Sequence, residues 1–362
     1  MRFYTNTHQY YCGIDLHARR MYICIMYQQG KVLYHRNRKA TPEDLLAALK
    51  PYREDVVVCV ECMFAWYWVA DVCADEGITF VLGHALGMRA VHGSKKKNDK
   101  IDSERIARLL LGKLIPMSYV YPAGMRETRA LLRRRMYLMH YRSEILGHVQ
   151  CTRQQYNLPA LGRHLGKKGE RVDLADEFPE GKIRELAKVD LNVIEHLDGV
   201  INELEVSING LAKVEDPVAI ALLRTIHGVG KILGLVMLYE IHTITRFKSA
   251  QDFCSYARLV KCEASSDGKK SGLRGGKQGN AYLKWAFSEA ALVFVRGNAA
   301  TGRYYKRLES KHGTGKALGI IAHRLGIAVY YMLTRKQAFD PARFLNLSQE
   351  AYAALREKKV TD

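Results

Sequence analysis

The chain has 362 residues, room for two or three domains, and its 56 Lys and Arg outweigh 37 Asp and Glu to give a net charge of +19. A surplus of that size points to a polyanionic partner, a nucleic acid ahead of an anionic membrane. No apolar run reaches the roughly 18 residues needed to span a bilayer, and Met1–His8 lacks the apolar core of a signal peptide. A cytoplasmic location is therefore expected. Eight cysteines are scattered, and only Cys59 and Cys62 form a C-x-x-C pair. With no second pair at metal-binding spacing, they read as small buried residues in a reducing compartment rather than as zinc ligands.

Three strands are predicted first, at Tyr11–His17, Met21–Tyr27 and Lys31–His35. Their short connections favour an antiparallel meander. Thr41-Pro42-Glu43-Asp44 starts a helix, with Thr41 as N-cap and Pro42 at the first helical position. A fourth strand, Val56–Val60, delivers Glu61 at its tip. The aromatic stretch Phe64–Trp68 leads into a helix, and Ile78–Leu82 is a fifth strand. Asn98-Asp99-Lys100-Ile101-Asp102 then opens a helix running to Leu111. The order βββαβαβα is that of an RNase H-like sheet, in which acids from the first strand, the fourth strand and a late helix converge.

Four acids, Asp15, Glu61, Asp99 and Asp102, stand where a divalent metal site would need them. Asp99 and Asp102, three apart, share one helix face. Hard oxygen donors on rigid elements suit Mg2+. Just upstream lies Lys95-Lys96-Lys97. It reads equally as a solvated loop or as a grip on the phosphate backbone.

From Glu127 to Asn157 a long basic helix is predicted, with Arg126, Arg129, Arg133, Arg134, Arg135 and Arg142 crowding its first half. Next, Ile194, Leu197, Ile201, Leu204, Ile208 and Leu211 recur at alternating three- and four-residue steps, an a/d seam. It either packs on the preceding helix or pairs with another subunit. A new domain begins near Pro217. Within it, Ile226-His227-Gly228-Val229-Gly230-Lys231 precedes an apolar run. That is a helix-hairpin-helix pattern whose glycines free backbone N–H groups for phosphate, or else a plain hairpin between packed helices. Residues 262–280 are rich in Ser, Gly and Lys. Read alone, they make a flexible basic loop. The sharper reading is a serine nucleophile cradled by Lys269, Lys270, Arg274 and Lys277, since a hydroxyl needs activation and the phosphate needs charge stabilisation.

These residues resemble the DEDD transposases of bacterial insertion sequences, which act as bridge-RNA-guided recombinases. The likeness is carried by Gly13-Ile14-Asp15, Val60-Glu61, Asn98-Asp99-Lys100-Ile101-Asp102, Ile226-His227-Gly228-Val229-Gly230, Ala257-Arg258-Leu259-Val260-Lys261-Cys262, the Ser/Gly stretch and Gly279-Asn280-Ala281-Tyr282-Leu283. It spans residues 10–340. The resemblance implies a RuvC-like domain at 8–115, a helical coiled-coil connector at 123–214 and a transposase domain at 217–345. It further implies that the four acids bind magnesium and that a serine attacks DNA to form a phosphoserine link. Donor and target DNA would be paired by a structured noncoding RNA, and the protein would work as a tetramer, a dimer of dimers. Members carry a single serine before a Gly-Lys turn. Here Ser265 and Ser266 are adjacent and Asp267 precedes Gly268. Ser266 is the expected nucleophile, Ser265 the fallback and Ser271 a third candidate. Two alternatives stand beside this: a RuvC-like endonuclease that uses water, and a non-catalytic nucleic-acid-binding protein.

Overall fold

The computed structural model describes residues 2–91, 98–159, 168–211, 216–260, 262–266, 269–274 and 278–356. The chain divides into two compact units, Met1–Gly124 and Met125–Asp362.

The first unit is built on five strands: β1 Tyr10–Leu16, β2 Arg20–Tyr27, β3 Val32–Lys39, β4 Val56–Glu61 and β5 Thr79–Gly83. Helices α1 Pro42–Leu49, α2 Tyr67–Asp75, α3 Ala85–Val91 and α4 Asp99–Leu111 are interleaved with them. The strands lie in the order β3-β2-β1-β4-β5. β2 is antiparallel to β1 and β3, whereas β4 is parallel to β1 and β5 parallel to β4. The meander and the two later strands therefore follow the expected order. β3 differs, running on to Lys39 where a stop at His35 was expected. It is an edge strand, so its Arg36, Asn37 and Lys39 can stand in solvent while the backbone stays paired on one side.

Alternation along β1 sorts its side chains between two layers. Cys12, Ile14 and Leu16 join Leu45, Leu49, Val69 and Cys73, the layer of α1 and α2. Tyr11 faces the other way, with Ile106, Leu109 and Leu110 of α4. Gly13 shares that second face and has no room for a side chain. A Cβ there would lie 2.3 Å from the Ala107 amide nitrogen and 2.4 Å from the Ser103 carbonyl oxygen. The helix backbone thus rests directly on the strand. Gly13→Ala should cost about 1–3 kcal/mol, as overpacking of a tight core does. A melting temperature equal to that of the parent would show that α4 does not sit so close.

The second unit is helical. Its helices are α5 Ala123–Gln155, α6 Lys182–Leu211, α7 Pro217–Leu223, α8 Lys231–Ile241, α9 Ala250–Tyr256, α10 Ala281–Phe294, α11 Ala299–His312 and α12 Thr314–Arg335, with shorter ones beyond. α5 and α6 run antiparallel. Ion pairs Arg135–Glu205, Arg142–Asp198 and His148–Asp190 descend α6 as they climb α5. Ile194, Leu197, Ile201 and Ile208 of the a/d seam are buried within the chain, and Ile194 packs with Ile145, Leu146 and Val149 of α5. The seam's partner is the preceding helix. α12 is long and apolar enough to cross a membrane by length and composition, but its Ile321, Leu325 and Val329 are fully buried in a core shared with Phe253, Phe287 and Ala290. It packs against α9, α10 and α11 as the spine of this unit.

The Ser/Gly-rich stretch is not a plain loop. β6 Cys262–Ser266 and β7 Lys269–Arg274 pair antiparallel, with Ser266 opposite Lys269 and Ser265 opposite Lys270. Asp267-Gly268 between them lies outside the described residues, but Asp-Gly between two strands is a strong hairpin signal in sequence.

Candidate active site

In the first unit the acids gather where two parallel strands end. Ile14 pairs with Val60, so the next positions, Asp15 and Glu61, follow side by side at the carboxyl ends of β1 and β4. Parity places both on the α4 side of the sheet, with Tyr11 and Gly13 on β1 and with Val57 and Cys59 on β4. The other two acids come from the first turn of α4. Asn98 caps this helix, its side chain accepting from the Lys100 N–H at 2.9 Å. Acidic residues in a first helical turn also suit the helix dipole. The contact at Gly13 is what brings that turn against β1.

Two further side chains pin the helix. Ser103 is fully buried, and its hydroxyl donates to the Lys100 carbonyl at 2.9 Å. His35 of β3 reaches the same carbonyl with Nε2 at 3.0 Å, its ring edge-on to Tyr22.

Asp15 and Asp99 converge, and with them comes a residue that motif reading passed over. His17 Nε2 stands 3.4 Å from Asp15 Oδ2 and 3.6 Å from Asp99 Oδ1. One donor atom from each of the three lies within 4.8 Å of the others. The signal for His17 was available: two residues past Asp15, it falls on the same side of the strand direction. Asp102 sits close by, engaged with Arg105 at 2.9 Å. Glu61, in register beside Asp15, is outside the three-residue group.

Burial, above all, raises the Asp15 carboxyl from its ordinary value; His17 lowers it, and Asp99 and Asp102 raise it again. Crowded carboxylates on one half-buried group are what a divalent cation would relieve. The donor set, oxygen-rich with one imidazole, fits such a cation. The neighbouring thiols do not compete for one. Cys12, Cys24 and Cys59 are buried, and burial holds each well above the ordinary thiol value.

The basic residues divide into three kinds. Arg133 is held by Glu240 at 2.6 Å and lies over the Tyr282 ring at 4.1 Å. Arg135 is paired with Glu205. Arg134 is exposed, over Tyr137. Lys269, Lys270 and Arg274 occupy β7, whereas Lys95, Lys96, Lys97 and Lys277 lie outside the described residues. Gly228 takes a positive φ of 96°, and a Cβ there would meet the Ala290 carbonyl at 2.9 Å, so this glycine serves packing against α10. Gly230 is open on its surroundings and caps α8, followed by exposed Lys231.

The roots of the β6–β7 hairpin are tied together. The Asn280 N–H donates to the Tyr256 carbonyl at 2.6 Å, and Arg258 Nε to the Gly279 carbonyl at 3.0 Å. Asn280 caps α10 through the Tyr282 and Leu283 N–H groups. Its amide also donates to Glu240 at 2.7 Å. Glu240, only 2% exposed, receives Arg129 at 3.0 Å and Arg133 as well.

Comparison with known proteins agrees with this layout. A family model for DEDD transposases of the IS110 type matches residues 12–157, the span that carries all four acids. A second model, described as transposase IS116/IS110/IS902 family, matches residues 220–306, which include the glycine turn and the serine hairpin. A curated protein of Coxiella burnetii, described as the transposase for insertion sequence element IS1111A, is 22% identical over 336 residues and is aligned across 90% of each chain. The two models cover well over half of the chain in the order expected of one enzyme. The chain belongs to the IS110 family of DEDD transposases, enzymes that cut and rejoin DNA.

Proposed function

We propose that this transposase cleaves and rejoins DNA with Ser266 as nucleophile and a Mg2+ site built from Asp15, Glu61, Asp99 and Asp102, guided by a noncoding bridge RNA that pairs with donor and target. The observation that carries the reading is the meeting of Asp15 and Asp99, from a strand and a helix far apart in sequence, at the end of β1. Strand order β3-β2-β1-β4-β5, with β2 alone running against the other four, supports a RuvC-like, RNase H-like fold for residues 8–115. Residues 123–214 serve as a helical coiled-coil connector, and 217–345 form the transposase domain. The enzyme works in the cytoplasm as a tetramer, a dimer of dimers.

Asp15, Glu61, Asp99 and Asp102 would hold the cation, which would supply Lewis acidity to activate a hydroxyl nucleophile and offset charge on the departing oxygen. The chain's own part is positional. Asp15 and Glu61 are fixed by strand register, and Asp99 and Asp102 by the cap at Asn98 and the contact at Gly13. Ser266 ends β6, opposite Lys269. Its oxygen forms a bond to phosphorus, a deoxyribose oxygen leaves with the electron pair, and the hydroxyl proton passes to a base. Lys269, Lys270, Arg274 and Lys277 offset the charge that builds on the phosphate. Lys95, Lys96, Lys97, Arg134, Arg133, Arg135, Gly228, Gly230 and Lys231 make up the remaining nucleic-acid contacts, with Arg133 and Arg135 sharing that role with their internal partners and Gly228 sharing it with its packing on α10.

Ser266→Ala should still bind DNA and RNA but form no protein–DNA adduct and no recombinant product. Mass spectrometry of the trapped adduct after nuclease digestion locates the linkage. A phosphoadduct on Ser265 or Ser271 would reassign the nucleophile. Cleavage without any adduct would instead establish the water-using endonuclease.

A further inference from the structure

We infer that His17 is a ligand of the metal centre, and that its nitrogen gives the site a preference for Mn2+ over Mg2+. This rests on the reading of the acids as a metal site and deepens it. Nε2 is nearly equidistant from Asp15 Oδ2, at 3.4 Å, and Asp99 Oδ1, at 3.6 Å. Both separations exceed the roughly 2.7–3.2 Å of a proper N–H···O hydrogen bond. One N–H also cannot satisfy two carboxylates at once. The spacing suits a shared centre better. Donors about 2.1 Å from an octahedral cation stand about 3 Å apart when adjacent and about 4.2 Å when opposite. The observed separations fall between those limits, and all three donors lie within 4.8 Å of one another.

The chemistry of the set then bears on which ion it takes. Mg2+ prefers oxygen donors and sheds water reluctantly. Imidazole favours first-row transition cations, and carboxylates accept Mn2+ readily. Two or more carboxylates and one imidazole therefore favour Mn2+. His17 sits on the solvent side of the cluster, its side chain about half exposed. It can close over an ion that enters from outside.

The test is a titration of the full-length protein with Mn2+ alone, followed by electron paramagnetic resonance, with Mg2+ as competitor. The parent should bind Mn2+ and show a 14N coupling from a bound imidazole. In His17→Gln that coupling should vanish and Mn2+ affinity fall at least about tenfold, the lower end of what even outer partners of metal ligands contribute. Mg2+ affinity should change by less than about threefold, since Mg2+ depends on the oxygen donors. Asp15→Asn provides the control for the acids. If Asp15→Asn loses Mn2+ while His17→Gln keeps both its affinity and its 14N coupling, His17 is not a ligand and the carboxylate site stands. If the parent binds no Mn2+ and no Mg2+, both readings fall together.

Discussion

Asp15→Asn should lower DNA strand cleavage about a thousandfold while the protein stays folded. A bound cation contributes several kcal/mol of charge stabilisation in the transition state. Losing about 4 kcal/mol of it corresponds to about 10³ in rate. The amide preserves the shape of Asp15 but not its charge, so strand register and the docking of α4 should survive. The variant should be at least as stable as the parent, because the charge it removes is one that burial, Asp99 and Asp102 all disfavour. Single-turnover cleavage of a donor DNA and a thermal melt decide the matter. Near-parental cleavage would remove Asp15 from the active site, and a large drop in melting temperature would make it a structural residue instead.

Glu240→Ala should cost about 3–5 kcal/mol, the usual penalty for taking one partner from a buried ionic network. Glu240 lies near the end of the apolar run of α8 and gathers Arg129, Arg133 and Asn280 around one carboxylate. Burial alone would raise that carboxyl. Arg133, through hydrogen bonds and charge, together with Arg129 and Asn280, outweighs burial and holds it below the usual glutamate value. A folded value below the unfolded one gives stability that is fully present above the unfolded value of about 4.3. That stability is lost as pH falls through the lower, folded value. Denaturant midpoints measured from pH 7 to pH 3 should therefore fall more steeply in the parent than in Glu240→Gln. Parallel curves would mean that the carboxylate adds nothing. The same variant bears on the hairpin, because Asn280 joins this network to its roots.

Much of the first unit was legible because its signals are local. β1, β2, β4 and β5 lie within a residue or two of their expected spans, since each is a short apolar run between turn residues. The Asp99 and Asp102 pair could be placed on a helix by spacing and by the Asn98 cap. His17 was passed over because the acids drew attention to carboxylates alone. For the arginines of α5, what sequence did not reveal was their internal partners. In a local window, Arg129 and Arg133 are an exposed basic cluster. Their partner Glu240 lies more than a hundred residues away, and no window holds both. The clue was an isolated acid inside the apolar run of α8. The hairpin was hidden by composition, since Ser, Gly and Lys are poor strand formers. Only the Asp267-Gly268 pair pointed to it.

The contact between Gly13 and α4 also governs when the acids can come together during synthesis. β1, β2 and β3 pair with near neighbours in sequence and can form as soon as they emerge. Asp15 then stands at the end of a strand with neither Asp99 nor Asp102 beside it. The cluster closes only when the helix reaching to Leu111 has left the ribosome and settled on the bare backbone of Gly13. On the proposed reading, a nascent chain has no assembled acid cluster until its first unit is complete, and no Ser266 until the second unit follows; the first of these steps waits on a residue that has no side chain.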